Sequence, residues 1–437
     1  MKKKALALLL PMAMVLSLLA GCSGEKETAE PAAPAATEKA AQATEKQADN
    51  SDVTLQIVVW STPSDEYLDV LANAFTEETG IKIEYQKLAT DNADYKQKVN
   101  IMVNGGTYYD GMFIVDGAQL PPLVEKGYVE PLTDYIAQDI NKDDYSGKVD
   151  VFTFDDGETY AMPIRGDYYM IFYNKDLFDQ YNVPYPTDDM TWDDFEQLTY
   201  QFTGKDNVYG GLLFNWPAMV YNWAWQSGEY NVCSGVYDCL IPEYERTLRM
   251  QDAGSIVDYA VLSAGSGDAA FENGNIAMQI NGTWNVGFCI NYEKEGDLTF
   301  DWDVAHLPYH DEKDKGNIVG SVTPMTISST SVHKEETWEF IKFVSGEKGA
   351  AILAKYGMLP ALTTDSAVNA YVDTDGAPEN LTNAMKCACF YMDKPPLPDI
   401  ASYKQILDEE HSLIMLGEET IEEGIANINA RAAEVGK

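Results

Sequence analysis

The sequence predicts an exported α/β protein, and three observations carry that prediction. Strand and helix patterns alternate from Val53 onward, the composition is that of a folded chain, and the first 22 residues follow different rules from the rest. At 437 residues with 45% hydrophobic and 11% aromatic content, the chain is long enough for two or three cores. Lys plus Arg number 30 against 70 Asp plus Glu, a formal charge of -40, so phosphodiester backbones are repelled and nucleic acid is not an expected partner. The four His show no paired ligand spacing, which argues against a zinc hydrolase.

Lys2, Lys3 and Lys4 form a basic head, Ala5 to Ala20 is an apolar run broken only by Pro11 and Ser17, and Leu19-Ala20-Gly21-Cys22 closes it with small residues. That is the pattern of a secretory signal, and the run falls short of the ~20 residues that span a bilayer. Leu-Ala-Gly-Cys resembles the bacterial lipobox, which implies acylation of Cys22 as the new N-terminus. Loss of residues 1–21 with three Lys takes the charge from -40 to -43. Ser23 to Asp52 has no aromatic residue and no Val, Ile or Leu, so residues 22–52 read as a solvated tether about 30 Å across as a coil.

The folded part then begins. Thr54 to Trp60 is a β-branched strand run. Asp65 to Glu78 places Tyr67, Leu68, Leu71 and Phe75 on one helical face before a capping Gly80, and Ile81, Ile83 and Tyr85 alternate as a second strand. A second helix over about Tyr95 to Val103 ends at Gly105-Gly106, and Met112 to Val115 makes a third strand stopping at Asp116. This alternation predicts a parallel sheet covered by helices. Ligands bind beyond the carboxyl ends of such strands, where Trp60, Ser61 and Asp116 fall.

Further motifs carry a family resemblance over roughly Val53 to Leu362. Phe75-Thr-Glu-Glu-Thr-Gly-Ile-Lys-Ile, Gly127-Tyr-Val-Glu-Pro-Leu-Thr-Asp, Tyr173-Asn-Lys-Asp-Leu-Phe, Thr191-Trp-Asp-Asp-Phe, Phe271-Glu-Asn-Gly-Asn-Ile-Ala-Met, Asn281-Gly-Thr-Trp and Trp338-Glu-Phe-Ile-Lys-Phe occur in that order. Together they resemble the sugar-binding family 1 of bacterial extracellular solute-binding proteins that serve ATP-driven importers. The resemblance implies a type II, periplasmic-binding-protein-like α/β fold: two lobes joined by crossover strands, with the ligand cleft between them. The expected division is 53–162 plus 307–346 for one lobe and 163–306 plus 347–437 for the other, with crossings near Ala161 to Arg165, Val304 to Pro308 and Gly346.

Competing motifs weigh less. Gly265-Ser-Gly-Asp-Ala-Ala270 fits a dinucleotide fingerprint only if Tyr259 to Leu262 is a strand, and the βαβ context is missing. Ser345-Gly-Glu-Lys348 lacks the companion motifs of penicillin-type acylation. The acid pairs Asp155-Asp156, Asp188-Asp189 and Asp193-Asp194, the raw material for a glycosidase, point their members in different directions. Cys233 and Cys239 are spaced for a loop disulfide or for buried free thiols.

Sugars present flat C–H faces beside rings of hydroxyls, so a sugar site wants aromatic faces and planar polar groups. Trp60, Trp216, Trp284, Tyr168 and Tyr356 stand in loops or at strand ends beside polar neighbours, whereas Trp192, Trp223, Trp225, Trp302 and Trp338 are expected in the core. Asp116 is either a helix N-cap or a ligand contact. Arg165, at the first crossing, either grips the ligand or neutralises Asp167 in a surface pair. The resemblance adds Gly320 and Ser321 to the cleft and makes Asn-Gly-Thr-Trp284 its best-marked element. The expected protein is a lipid-anchored, monomeric extracytoplasmic receptor of the cell membrane that hands a mono- or oligosaccharide to an ATP-binding-cassette permease; the alternatives are the same fold binding a polyamine, anion or metal, or a secreted glycoside hydrolase. It needs no cofactor, metal or nucleotide, and is not an enzyme.

Overall fold

Strand β1, Thr54–Val59, forms where the β-branched run lies, and the helix Glu66–Thr79 buries Tyr67, Leu68, Leu71, Ala72 and Phe75 along one face. Gly80 ends that helix in the left-handed region (φ 80) and donates its N–H to the Thr76 carbonyl, a geometry costly to any residue with a Cβ. Strand β2, Lys82–Lys87, the helix Asn92–Asn104 and strand β3, Gly111–Phe113, complete the opening units. The structure is a computed structural model that describes residues 52–60, 65–89, 92–205, 207–265 and 270–437. The expected signal, the lipobox Cys22, the tether to residue 51, Ser61 and part of the Gly265–Ala270 motif lie outside the described residues.

Five more strands follow: β4 (Met162–Asn174), β5 (Met278–Gly282), β6 (Trp302–Ala305), β7 (Asn317–Ile327) and β8 (Cys389–Met392). The sheet order is β2-β1-β3-β7-β4-β5, with β6 also pairing β4 and β8 pairing β7. The sheet is mixed rather than parallel: β1 runs parallel to β2 and β3, and β7 to β8, while β3–β7, β4–β7, β4–β5 and β4–β6 are antiparallel. The opening βαβ units obey the alternation rule; the long returning strands, which pair with partners more than a hundred residues away, do not.

Those long strands organise the chain. All 13 residues of β4 are buried; Met162 to Tyr168 pair with β7, and Tyr169 to Asn174 pair with β5 and β6. Strand β7 likewise pairs with β3 through Met325–Ile327 and with β8 through Asn317–Gly320. Strand β7 contributes Met325 and Ile327 to one core and Ile318 and Val319 to two others, while Trp302–Ala305 pair with β4. Gly346 sits between the helices Lys334–Ser345 and Glu347–Lys355, whose Trp338, Ile341 and Leu353 share one core with Leu55, Ile57 and Phe75. Val58, Tyr95 and Met112 build an adjoining core.

On the other side, Tyr169, Trp192, Trp223, Trp225, Tyr244 and Leu407 form one cluster, and Phe172, Phe271 and Trp302 another. Trp192, Trp223, Trp225, Trp302 and Trp338 are all buried, as their contexts predict. The Thr191-Trp-Asp-Asp motif is a capping box: the Asp194 N–H donates to Thr191 Oγ1 (3.1 Å), and the Thr191 N–H donates to Asp194 (2.9 Å). Tyr259–Ser263 is helical, which removes the strand that the dinucleotide reading needs. Cys233 and Cys239 are unlinked thiols. Among the described residues, no helix is long and apolar enough to cross a membrane.

Candidate functional site

Strand β3 ends in a tight turn: the Val115 N–H donates to Gln119 Oε1 (2.9 Å), and Gly117–Gln119 forms a 3-10 turn with Asp116 at its N-cap position. The Asp116 side chain makes no capping bond. It is 5% exposed, takes Lys96 Nζ at 2.5 Å and lies 3.9 Å from Lys394 Nζ. Burial alone would push this carboxyl up, but Lys96 and Lys394 outweigh it and hold it below the usual carboxylate range.

Lys394 comes from the end of β8. The Asp393 N–H donates to the Gly320 carbonyl (2.7 Å), which places the fully buried Asp393 carboxylate 3.2 Å from Lys394 Nζ. Desolvation raises the Asp393 carboxyl, whereas the Lys394 ammonium, flanked by two carboxylates, is raised well above its ordinary value despite burial. Tyr169 reaches this group with its hydroxyl 3.4 Å from Asp393 Oδ2, and its ring meets Trp223 and Trp284 edge-on at 5.8 and 5.7 Å. Tyr221, on the buried helix Ala218–Trp225, feels Asp408, Lys394 and Asp393 together. Lys96 and Lys394 therefore balance Asp116 and Asp393, and Lys404 pairs with Asp408 on the helix Ile400–Met415.

The set is charge-balanced but not hydrogen-bond-saturated. Asp116 Oδ1, Asp393 Oδ1, Asp408 Oδ1, both side-chain polar atoms of Asn222 and the Trp225 indole N–H are buried without a partner. Each such atom costs about 1–3 kcal/mol. Native folds keep such atoms rare; three of them belong to carboxylates linked here, since Asp116 and Asp393 share Lys394, and Asp408 acts with Asp393 on Tyr221.

The expected site residues divide accordingly. Asp116 and Trp284 enter this set, the latter through Tyr169, and Trp284 packs on core clusters from both halves. Trp60 lies edge-on to Tyr95 (5.8 Å) and Phe113 (6.3 Å) and packs on the two cores of the first half. Trp216, 40% exposed, stacks on Phe214 at 4.6 Å; with Trp284, Gln279, Asn281 and Asn285 it lines a groove of about 300 Å³.

Four expectations change. Arg165 is committed to Asp167 (2.9 Å) in a buried rather than a surface pair, completed by the Thr283 hydroxyl on Asp167 (3.0 Å). Tyr168 faces the opposite side of β4, against Phe390 (5.6 Å), so Tyr169 is the tyrosine that meets Trp284. Gly320 lets the strands close: a Cβ there would fall 2.2 Å from the Asp167 carbonyl oxygen, and the half-buried Ser321 pairs with Asp167. Tyr356 caps the helix Glu347–Lys355 and packs on the first core.

Sequence reading missed Lys96, Tyr221, Asn222, Asp393, Lys394 and Asp408, and of the adjacent Tyr168 and Tyr169, one expected inward and one outward, it chose Tyr168. Two signals were present: Asn222 is the polar residue in Ala-Met-Val-Tyr-Asn-Trp-Ala-Trp, and Asp393-Lys394 precedes Pro395-Pro396 at a strand end. A larger groove, about 570 Å³, is lined by Glu130, Asp134, Glu158 and Glu335 and by none of these residues. Its carboxylates are largely engaged, as in Lys334–Glu130 (2.8 Å) and Tyr135–Glu335 (2.8 Å). The acid pairs serve local structure: Asp194 caps a helix, Asp188 takes the His306 N–H (2.9 Å) and Asp156 the Tyr160 hydroxyl (2.7 Å).

With this geometry in place, the comparisons with known proteins are direct. The profile of bacterial extracellular solute-binding proteins matches residues 60–351. A Rhizobium etli protein described as a sugar transporter in an open conformation is 30% identical, covers 88% of this chain and 100% of its own, and superposes with a TM-score of 0.78. A Listeria monocytogenes ABC substrate-binding protein in complex with cycloalternan shares the fold at 24% identity, 87% and 98% coverage and a TM-score of 0.74. A Brucella abortus (strain 2308) chain named as a binding protein is 23% identical over 343 residues, 75% of this chain and 80% of its own. With its profile matched over two thirds of its length, the chain belongs to the bacterial extracellular solute-binding protein family and has that family's fold, two α/β lobes joined by crossover strands around a ligand cleft.

Proposed function

We propose that this protein captures an uncharged mono- or oligosaccharide in the seam between Asp116 and Lys394 and delivers it to a membrane permease. The carrying observation is the group of buried, partnerless carboxylate oxygens on Asp116, Asp393 and Asp408, joined through Lys394 and Tyr221. A polyol meets such oxygens, because each hydroxyl has a proton to donate. The balanced charges of Lys96, Lys394, Asp116 and Asp393 favour a neutral ligand over a polyamine or an anion. Trp284 and Trp60 supply faces for the C–H sides of the ring, and the Phe214–Trp216 stack extends the apolar surface for a longer chain. Binding energy then goes into closing the lobes, since only the closed form surrounds the ligand.

A thermal-shift screen of neutral sugars, uronates, polyamines and divalent metals tests this reading. A neutral sugar at 100 times its dissociation constant should add ~2.7 kcal/mol of stability. Stabilisation by polyamines alone would replace the sugar with a cation held by the same carboxylates. The proposed membrane anchor is Cys22, motivated by Leu-Ala-Gly-Cys; Cys22→Ala should leave the membrane fraction, and unchanged fractionation would remove the anchor from the proposal.

A further inference from the structure

The groove that Trp284 lines is built from amides and aromatic rings rather than from paired charges. Side chains alternate along β5, so Gln279 and Asn281 fall on one face, and the helix Trp284–Glu295 adds Asn285 from its first turn. These three residues are 3%, 5% and 8% exposed, so each is more than nine-tenths buried. Asn281 Oδ1 accepts the Gly282 N–H (2.9 Å), and Asn285 Nδ2 reaches Cys289 Sγ (3.3 Å). The Gln279 amide has no hydrogen-bond partner among the described residues. It therefore keeps an acceptor oxygen and a donor nitrogen for whatever enters the groove. Phe214 and Trp216 add a stacked pair of rings, 4.6 Å apart and 11° from parallel, with Trp216 40% exposed. Among the described lining residues Glu272 alone is charged.

We propose that this groove is a subsite for one further neutral sugar ring, stacked on Trp216 and read by Gln279, so that the ligand is an oligosaccharide rather than a single sugar. This rests on the reading that a sugar is held between Asp116 and Lys394. Trp284 joins the two places: it lines the groove, and its ring lies 5.7 Å from Tyr169, whose hydroxyl is 3.4 Å from Asp393. The groove's volume of about 300 Å³ is at the lower end of the range for small-molecule sites and suits one ring rather than a chain. An amide meets the hydroxyls of such a ring in both directions, and an indole face takes its C–H side. No lysine or arginine lines the groove among the described residues, so a uronate gains nothing there over a neutral ring. A buried amide without a partner weakens the fold, and a ligand that pairs it recovers the loss.

Calorimetry on the full chain with sugars of one, two and three units in the gluco-, manno-, galacto- and xylo- series tests this, beside Gln279→Leu and Trp216→Ala. The parent should bind a trisaccharide roughly 10-fold or more tighter than the matching monosaccharide. Trp216→Ala should remove roughly 10-fold of the trisaccharide affinity and Gln279→Leu roughly 5-fold, while both leave the monosaccharide unchanged. Melting curves add a readout on which a purely structural role has the opposite sign. Gln279→Leu should melt at the parent's temperature or above it, because an unpaired buried amide gives way to an apolar group of similar size. A large loss of stability in Gln279→Leu with unchanged dependence on sugar length makes Gln279 a structural residue and overturns the subsite. Equal affinity of the parent for one and three units, unaffected by either variant, rejects the groove and leaves the sugar between Asp116 and Lys394 in place. Absence of binding to every series rejects both. If Gln279→Leu does not fold, Trp216→Ala, at an exposed position, carries the test alone.

Discussion

Two buried charge groups lie within a few residues of each other along β4 and its neighbours, and they are built differently. In the crossover strand, Asp167 has both oxygens occupied, one by Arg165 (2.9 Å) and one by Thr283 (3.0 Å). At the end of β3, Asp116 and Asp393 share Lys394 yet each keeps an oxygen without a partner. Burial is nearly the same, 2% exposure for Asp167 against 5% and 0% for Asp116 and Asp393. What differs is hydrogen-bond capacity left over. A saturated carboxylate has nothing left to offer a ligand and serves the fold, whereas an unsaturated one weakens the fold and keeps capacity for the proposed ligand.

The largest effect that would break this contrast is at the carboxylate whose two oxygens are both occupied. Asp167→Asn leaves the Arg165 guanidinium buried without its carboxylate, and losses from halving such a pair run to about 3–5 kcal/mol. Denaturant unfolding should show that loss, and an unchanged midpoint would put Asp167 among the dispensable groups. Next comes the aromatic wall of the cleft. Trp284→Ala should weaken ligand binding by roughly 30-fold, about 2 kcal/mol, with a much smaller change in stability. Calorimetry beside a melting curve separates the roles: unchanged affinity with a large drop in melting temperature makes Trp284 a core residue instead.

The smallest effect concerns Lys148, a third buried charge, held against the rings of Tyr168 (5.8 Å) and Phe390 (5.6 Å). Burial lowers its amine from 10.5 to about 8. The unfolded chain therefore binds more protons between those values, so stability rises with pH across that window and the penalty is fully present below pH ~8. Lys148→Met should stabilise the protein on the order of 1 kcal/mol at pH 7, with the gain fading as pH approaches 10. A gain that is the same at pH 7 and pH 10 would show that packing rather than charge is responsible.

Local pattern was sufficient wherever the physics is local. The run Thr54 to Trp60, the inward face of Tyr67, Leu71 and Phe75, the left-handed Gly80 and the Thr191–Asp194 cap were all legible because each depends on neighbours within one or two turns. The order of short motifs from Phe75 to Trp338 was sufficient to identify the family, and with it the two-lobed fold. What the sequence does not contain is the pairing of β4 with β7, strands whose paired residues are separated by about 150 positions, or the side of β4 on which each tyrosine lands. A strand alternates its faces strictly, so Tyr168 and Tyr169 must differ; only the sheet's partners decide which one meets Trp284. The same holds for Lys394: nothing local marks it, and it meets Asp116 because β8 pairs with β7 and carries it there. Tertiary structure decided the site because a site is a meeting of chain segments, and sequence-local forces fix each segment without fixing what it meets.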